Sequence, residues 1–396
     1  MMIEFDEALS FLLKKSVEPQ KVEKVLVARS FNRVIAEDLF APFNVPLFDN
    51  SQVDGYALGA SAMKAGKKIK VSQRIAAGDS GKEIQPEEAA RIFTGARVPA
   101  GTKAIAMQED VENSGHNIIC LKSDPRPMEN IRFTGADLKR GNVFFKKGRC
   151  LSAADIGLCS SVGLKTIKVF EKIRVGVFSS GNELRQPGEK LNACEIYDSN
   201  RPMILNMIER LGMQAHDLGC LPDDFDITVQ ALESASSEVD IILTCGGVSV
   251  GEEDHIKKAV QMLGSLDLWK INIKPGKPFA LGNIQGRPLL GLPGNPVSSW
   301  VTFSLFCRPF LLSCSGHTNV ILNPENAVSD FSFSNTSKKR LFLRASKNEE
   351  GRLYLFKNQN SQILSSICFS QGLVELLPGQ TVEIADNVQY LDFSKF

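Results

Sequence analysis

The chain has 396 residues, and 46 lysines and arginines against 45 acids leave a formal net charge of +1. That balance excludes bulk attraction to nucleic acid or to an anionic membrane, so charge-driven recognition must come from local clusters. A content of 43% hydrophobic and 23% charged residues supports real cores and excludes disorder or a collagen-like chain, and the length suits two to four domains at about 150 residues each.

No stretch approaches the roughly 18 to 20 uninterrupted apolar residues of a membrane span. The opening residues carry Glu4 and Asp6 where a secretory signal places positive charge and then an apolar run. A cytoplasmic protein is expected. The nine cysteines form no C-x-x-C pair and read as reduced, mostly buried small hydrophobes.

Residues 6–16 form an amphipathic helix with acids at its start and Lys14 and Lys15 at its end, as the helix dipole favours. After the proline-punctuated stretch 42–46, short β-rich runs such as 67–75 and 104–108, broken by glycines, predict a compact β-rich module to about residue 141. Ser152 to Asp155 reads as a capped helix start between modules. From 171 to 315 the pattern changes. Strands at about 173–178, 213–219, 239–244, 267–273 and 287–292 alternate with a helix that opens on the cap residues and proline of 198–202 and stops at Gly212, and with helices near 225–236, 253–263 and 297–312. This βαβα order predicts a mainly parallel sheet with helices on both faces. Beyond about 318, alternating runs at 340–345, 352–356, 373–377 and 381–384 predict a small barrel or sandwich.

Open parallel sheets bind ligands beyond the carboxyl ends of their strands. Ser179 to Glu183, Asp223 with Asp224, the run Cys245 to Asp254 containing Gly246, Gly247 and Gly251, and Gly291 to Pro296 (Pro293, Gly294, Asn295, Pro296) all fall there. Carboxylates hold Mg²⁺ while glycine-rich turns entering a helix offer N–H groups to an oxyanion. The pair predicts a metal and phosphate site. Lys270, Lys274 and Lys277 add cations near the preceding strand end. No Walker or dinucleotide motif occurs. The plainer reading is that Asp223 and Asp224 only cap a helix and that Lys274 to Lys277 is a charged turn.

Gly247-Val-Ser249-Val-Gly251 also fits a serine hydrolase elbow. Its downstream histidines, His255 and His317, fall on the helix that follows and in a linker leaving the domain, which disfavours a triad.

Pro46 to Ala57 with its Asp54-Gly-Tyr-Ala run, Arg91 to Ala96, Val98 to Gly101, Gly246 to Asp254, Ile273 to Pro278 and Gly291 to Pro296 resemble the molybdopterin molybdenumtransferase (MoeA and gephyrin E-domain) family. The resemblance runs in order from about residue 5 to the C-terminus and is weakest after 318. It implies four domains: a discontinuous, extended N-terminal domain (1–44 and 142–170), a β-rich second domain (45–141), a three-layer MogA-like α/β domain with a mostly parallel sheet (171–317) and a C-terminal β-barrel (318–396). It implies a homodimer whose active site lies between the α/β domain of one subunit and the second domain of the other. The implied reaction is Mg²⁺-dependent insertion of molybdate into adenylylated molybdopterin, giving molybdenum cofactor and AMP. A molybdopterin adenylyltransferase and apo molybdoenzymes are the further partners it suggests.

By the same resemblance Asp223, Asp254 and Glu183 would hold the metal or its waters. Lys274, Lys277 and Ser298 would face molybdate or phosphates, with Lys270 a further functional lysine. Asp54, Thr94 and Asp137 would come from the facing subunit, and Arg344 and Ser365 would complete the molybdate pocket. Gly246, Gly247, Ser249 and Gly251 with Pro293 to Pro296 would line the substrate. Asn182 stands where the family usually has Asp, and Val53 where it usually has Met. Gephyrin-type members also act as scaffolds, a role needing no catalytic residues, yet this chain keeps nearly all the acidic and lysine positions.

Overall fold

The computed structural model describes residues 2–247 and 255–396. Its contacts divide the chain into two compact units, one of residues 1–36, 148–152 and 166–396, the other of 37–147 and 153–165.

The first unit is built on a sheet of β1 (Met2–Ile3), β2 (Arg174–Ser180), β3 (Gln214–Leu221), β4 (Ile241–Cys245), β5 (Gly264–Ile271), β6 (Pro278–Ile284) and β7 (Arg287–Leu292). Among the described residues their order is β1-β5-β6-β7-β4-β2-β3. From β7 to β3 the strands are parallel, and β1 is parallel to β5. Strand β6 runs antiparallel to both neighbours. The periodicity reading does not contain β6, because Pro278 at its start and Gly282 within it look like punctuation. A proline is tolerated at the first residue of a strand, where its missing N–H costs the ladder least.

Side chains along these strands alternate between two cores, as a period of two requires. Ile241, Leu243, Cys245, Leu290 and Leu292 pack with helices α1 (Phe5–Lys14), α2 (Asn200–Arg210) and α5 (Pro296–Cys314). Ile242, Leu289 and Ile284 pack on the other face with α3 (Phe225–Glu238) and α4 (His255–Leu263). The result is three layers. Helix α1 buries Ala8 and Leu12 in the first core, and β1 extends the sheet. Helix α5 is long and apolar enough to cross a membrane, although polar residues interrupt its apolar run, and 83% of its 18-residue apolar window is buried within this fold. It is a core helix, with a π-helical stretch at Phe303–Cys307.

Downstream, β8 (Glu325–Val328), β9 (Arg340–Lys347), β10 (Leu353–Leu355), β11 (Gly372–Leu376) and β12 (Asn387–Asp392) pair as β10-β9-β11-β12-β8. A Ser329–Leu353 bridge brings the two edges together around Leu341, Leu343, Val374, Val388 and Tyr390. Closing the ring removes the unpaired edges that would invite aggregation. Ile273–Lys274 pairs in parallel with Arg340 and Leu341, so the barrel's longest strand is stitched to the lysine-bearing turn after β5.

In the second unit a six-stranded sheet has the order 104–107, 55–58, 88–92, 68–75, 118–121, 111–113. Ala57, Ala90 and Ile105 face one core, while Leu58, Ala89 and Ala106 face another. Helix Ala153–Ser161 belongs to this unit.

No disulfide forms. Cys159, Cys245, Cys307 and Cys314 are buried whereas Cys194 and Cys368 are exposed, fewer buried than the sequence reading expects.

Candidate functional site

The carboxyl ends of β2, β3, β4 and β7 share one edge, as the parallel order dictates. Glu183 and Asn182 sit on the turn after β2, and Asp223 follows β3. The Asn182 N–H donates to Asp223 Oδ2 at 3.1 Å, and the Asp223 N–H donates to Asn182 Oδ1 at 3.2 Å. Gly181 sits at φ +142°, a backbone conformation that L side chains rarely adopt, and a Cβ there would lie 2.2 Å from Glu183 Oε2, so the Glu183 side chain would have to move. The two acids of this edge therefore belong to adjoining turns. Asp224 is the helix cap of the plainer reading, its Oδ1 accepting from the Ile227 N–H at 2.9 Å.

Beneath this edge a buried ion network fixes the loops. Ser179 Oγ donates to Asp198 Oδ2 at 2.6 Å, and Arg201 pairs with Asp198 at 3.0 Å and with Asp217. Gln186, on the loop after Glu183, accepts from Arg201. A buried charge is tolerated when paired and hydrogen-bonded on all sides, and this one ties two strands and a loop to α2. Asn200, at the start of α2, donates to Gly294 O at 2.6 Å and so holds the turn Pro293 to Pro296. Gly246, at φ +92°, donates its N–H to Leu292 O at 3.0 Å, and Gly247 lies so close to Ile256 that a Cβ would meet it at 2.3 Å.

Beside this edge a cavity of ≈ 580 Å³ opens between the turn after β5, the start of α5 and the barrel. Lys274, Lys277, Asn295, Ser298 and Arg344 line it together. So do Lys339, Gln359, Asn360 and Ser361, which the sequence reading missed. Among the described residues four cations face the space, and no carboxylate lies in its lining.

Arg344 is 1% exposed. Its Nε donates to Ser366 Oγ at 3.1 Å, and its Nη atoms reach Phe342 O and Asn360 O at 3.4 Å. All these partners are neutral. Burial pulls its pKa down to about 10, the direction expected of a desolvated cation without a counter-charge. Such a group calls for an anion. Pro296 at the first turn of α5 presets the helix there, and the Val297 N–H is already held by Ser361 O at 3.1 Å.

Two expected positions lie elsewhere. Ser365 is exposed and does not line the cavity; its neighbour Ser366 is buried and bonds Arg344. A one-residue step on a short helix turns a side chain by about 100°, which local sequence spacing could not resolve. Lys270 is exposed at the end of β5 and also lies outside the cavity lining. Ser249, Gly251 and Asp254 lie outside the described residues.

In the second unit Thr94 donates both its N–H and its Oγ1 to Asp54 Oδ1, each at 2.8 Å. Those bonds, and secondarily Arg91, hold the Asp54 carboxyl below its ordinary pKa. Asp137 is exposed, its N–H donating to Val45 O at 2.9 Å.

Among the described residues no three His, Cys, Asp or Glu side chains cluster as a metal site. The oxygen donors of Glu183, Asp223 and Asn182 do suit a hard cation that keeps much of its water. The downstream histidine His317 is bonded to Ser315 Oγ at 3.0 Å. The Cys245 thiol, wholly buried, is pushed up to about 12 and is inert as a nucleophile.

A model of the MoeA N-terminal region (domains I and II) matches residues 3–163, and a probable molybdopterin-binding domain matches residues 176–313. A molybdopterin molybdenumtransferase of Haemophilus influenzae is 39% identical over 316 residues, covering 80% of this chain and 78% of that protein. One from Synechococcus elongatus is 30% identical over 395 residues, 96% of each. The crystal structure of the molybdopterin biosynthesis MoeA protein of Pyrococcus horikoshii OT3 aligns with 99% of this chain and 100% of its own, with a TM-score of 0.85 at 28% identity. The motifs, the multi-domain fold and these likenesses agree, and the chain belongs to the molybdopterin molybdenumtransferase family.

Proposed function

We propose that the protein inserts molybdate into adenylylated molybdopterin in a Mg²⁺-dependent reaction, releasing AMP and giving molybdenum cofactor. The observation that carries this is the cavity that, among the described residues, is lined by four cations and no carboxylate and is floored by a buried arginine bonded to neutral groups. A tetrahedral oxyanion supplies the missing negative charge, and Lys274, Lys277 and Arg344 bind and orient it while Ser298 and Asn295 offer hydrogen bonds.

The adenylylated substrate lies along the neighbouring strand-end turns in this reading, its phosphates toward the N–H group of Gly247, since that of Gly246 is held by Leu292 O. Glu183 and Asp223, with Asp254, would hold Mg²⁺. The ion would neutralise phosphate oxygens at the bond to AMP. Asp54, Thr94 and Asp137 complete the site from a second copy of the chain, so the working enzyme is a homodimer of four-domain subunits in a reducing cytoplasm. The hydrogen bonds from Thr94 keep Asp54 ionised for that role.

The test is AMP release from adenylylated molybdopterin by the purified protein, with and without Mg²⁺ and molybdate, followed by transfer of the product to an apo molybdoenzyme. Release that needs both additions and activates the apoenzyme is the expected result. Release indifferent to molybdate would refute the proposal.

A further inference from the structure

We infer that Lys339 is a third lysine on the bound oxyanion and that it sets the cavity's preference for a dianion over a monoanion of the same tetrahedral shape. The inference deepens the function proposed above and rests on reading the cavity as the oxyanion site.

The backbone of Lys339 is fixed from both sides. Asn335, 1% exposed, donates its Nδ2 to Lys339 O and Leu377 O at 2.8 Å each. Ser337 Oγ donates to Asn335 Oδ1 at 2.7 Å and accepts from the Lys339 N–H at 3.3 Å. On the flanks, Asn272 Nδ2 donates to Lys338 O at 2.8 Å, and the Arg340 N–H donates to Asn272 O at 3.0 Å. The Ile273–Arg340 and Lys274–Leu341 pairing then sets this segment against the Lys274 turn. A buried asparagine and a strand pairing together hold a cation beside two others.

Lys339 is half-buried and lines the cavity with Lys274, Lys277 and Arg344. Burial, then the charges of Lys277 and Lys274, lowers its pKa, so the three ammonium groups feel one another across the cavity. Like charges held together by the backbone are relieved by an anion that touches them all.

Coulomb energy scales with the product of the charges. Deleting one cation should therefore weaken a dianion by about the square of the factor lost by a monoanion in the same place. A charge-assisted contact at a half-buried site corresponds to about tenfold in affinity for the dianion. The monoanion should then lose about threefold, the square root of that factor.

The experiment is equilibrium dialysis of the full chain against molybdate and against perrhenate, a tetrahedral monoanion, at constant ionic strength. Wild type, K339M, K339R and R344M are compared, with melting curves to show that each is folded. K339M should lose about tenfold for molybdate and about threefold for perrhenate, and K339R should stay within about twofold of wild type. If R344M loses molybdate while K339M binds it like wild type, Lys339 has no such role and the oxyanion cavity stands. Equal loss of both anions in K339M would overturn the charge selectivity. If wild type binds no molybdate, or R344M binds it unchanged, the oxyanion cavity itself is refuted.

Discussion

Asn182 and Asp223 clasp each other across the strand-end edge, each backbone N–H donating to the other's side-chain oxygen at 3.1 and 3.2 Å. An amide serves this clasp as well as a carboxylate, because only an acceptor oxygen is used. The two differ in what they offer a cation. In Asn182→Asp the clasp survives, and a second charge stands beside Asp223. The half-saturating Mg²⁺ concentration for AMP release should fall by roughly tenfold, as ligand charge tunes affinity for a hard ion. An unchanged Mg²⁺ titration would show that the side chain at 182 does not act on the ion.

Arg344 separates binding from folding. Its guanidinium is buried among neutral partners, so its charge stabilises nothing in the free protein. Arg344→Met keeps an apolar stem of similar reach, and its unfolding free energy should stay within about 1 kcal/mol of wild type. Molybdate at a hundred times its dissociation constant should stabilise wild type by about 2.7 kcal/mol and the variant hardly at all. Thermal melts with and without molybdate read both quantities, and equal molybdate shifts in the two proteins would remove Arg344 from the site.

The strand-end turns were legible because backbone order alone brings them together. Once 173–178, 239–244 and 287–292 are read as parallel strands, Glu183, Gly246 and Asn295 must share an edge. Lys339 was not legible in that way. Its position depends on the Asn335 hub and on pairing between residues 273–274 and 340–341, a long-range contact without local periodicity. The sequence points to Ser365, whereas Ser366 is the one that bonds Arg344, because four residues of helix carry too little pattern to phase a side chain. Strand β6 was missed because Pro278 and Gly282 resemble a loop until both neighbouring strands are in place.

Gly276 marks a close approach that the sequence shows only as a turn. It sits at φ +109°, and a Cβ there would lie 2.5 Å from Thr302 Oγ1 on α5. Gly276→Ala combines an unfavourable backbone conformation with a clash against a buried helix, so the turn carrying Lys274 and Lys277 must shift. Stability should fall by about 1 to 3 kcal/mol, and molybdate affinity should fall with it. The double variant with Thr302→Ala removes the clash and should recover part of the stability. Full wild-type stability and affinity in Gly276→Ala would mean that the turn has more freedom than this packing allows.

His317 gives the fold an acid-sensitive element outside the oxyanion cavity. Its Nδ1 shares a 3.0 Å hydrogen bond with Ser315 Oγ, and burial lowers its pKa to about 4 from the ordinary 6.5, with the charge of Arg308 adding to the shift. Between those values the unfolded chain binds a proton that the folded chain refuses. Stability is therefore whole above pH 6.5 and declines as the pH falls toward about 4, by up to about 3 kcal/mol for a shift of this size. His317→Asn keeps a hydrogen-bonding side chain but cannot titrate. Chemical denaturation of both proteins at pH 7.5, 6, 5 and 4.5 should show wild type losing stability faster than the variant across that window. Parallel curves would mean that the ring is protonated as readily in the fold as in the unfolded chain.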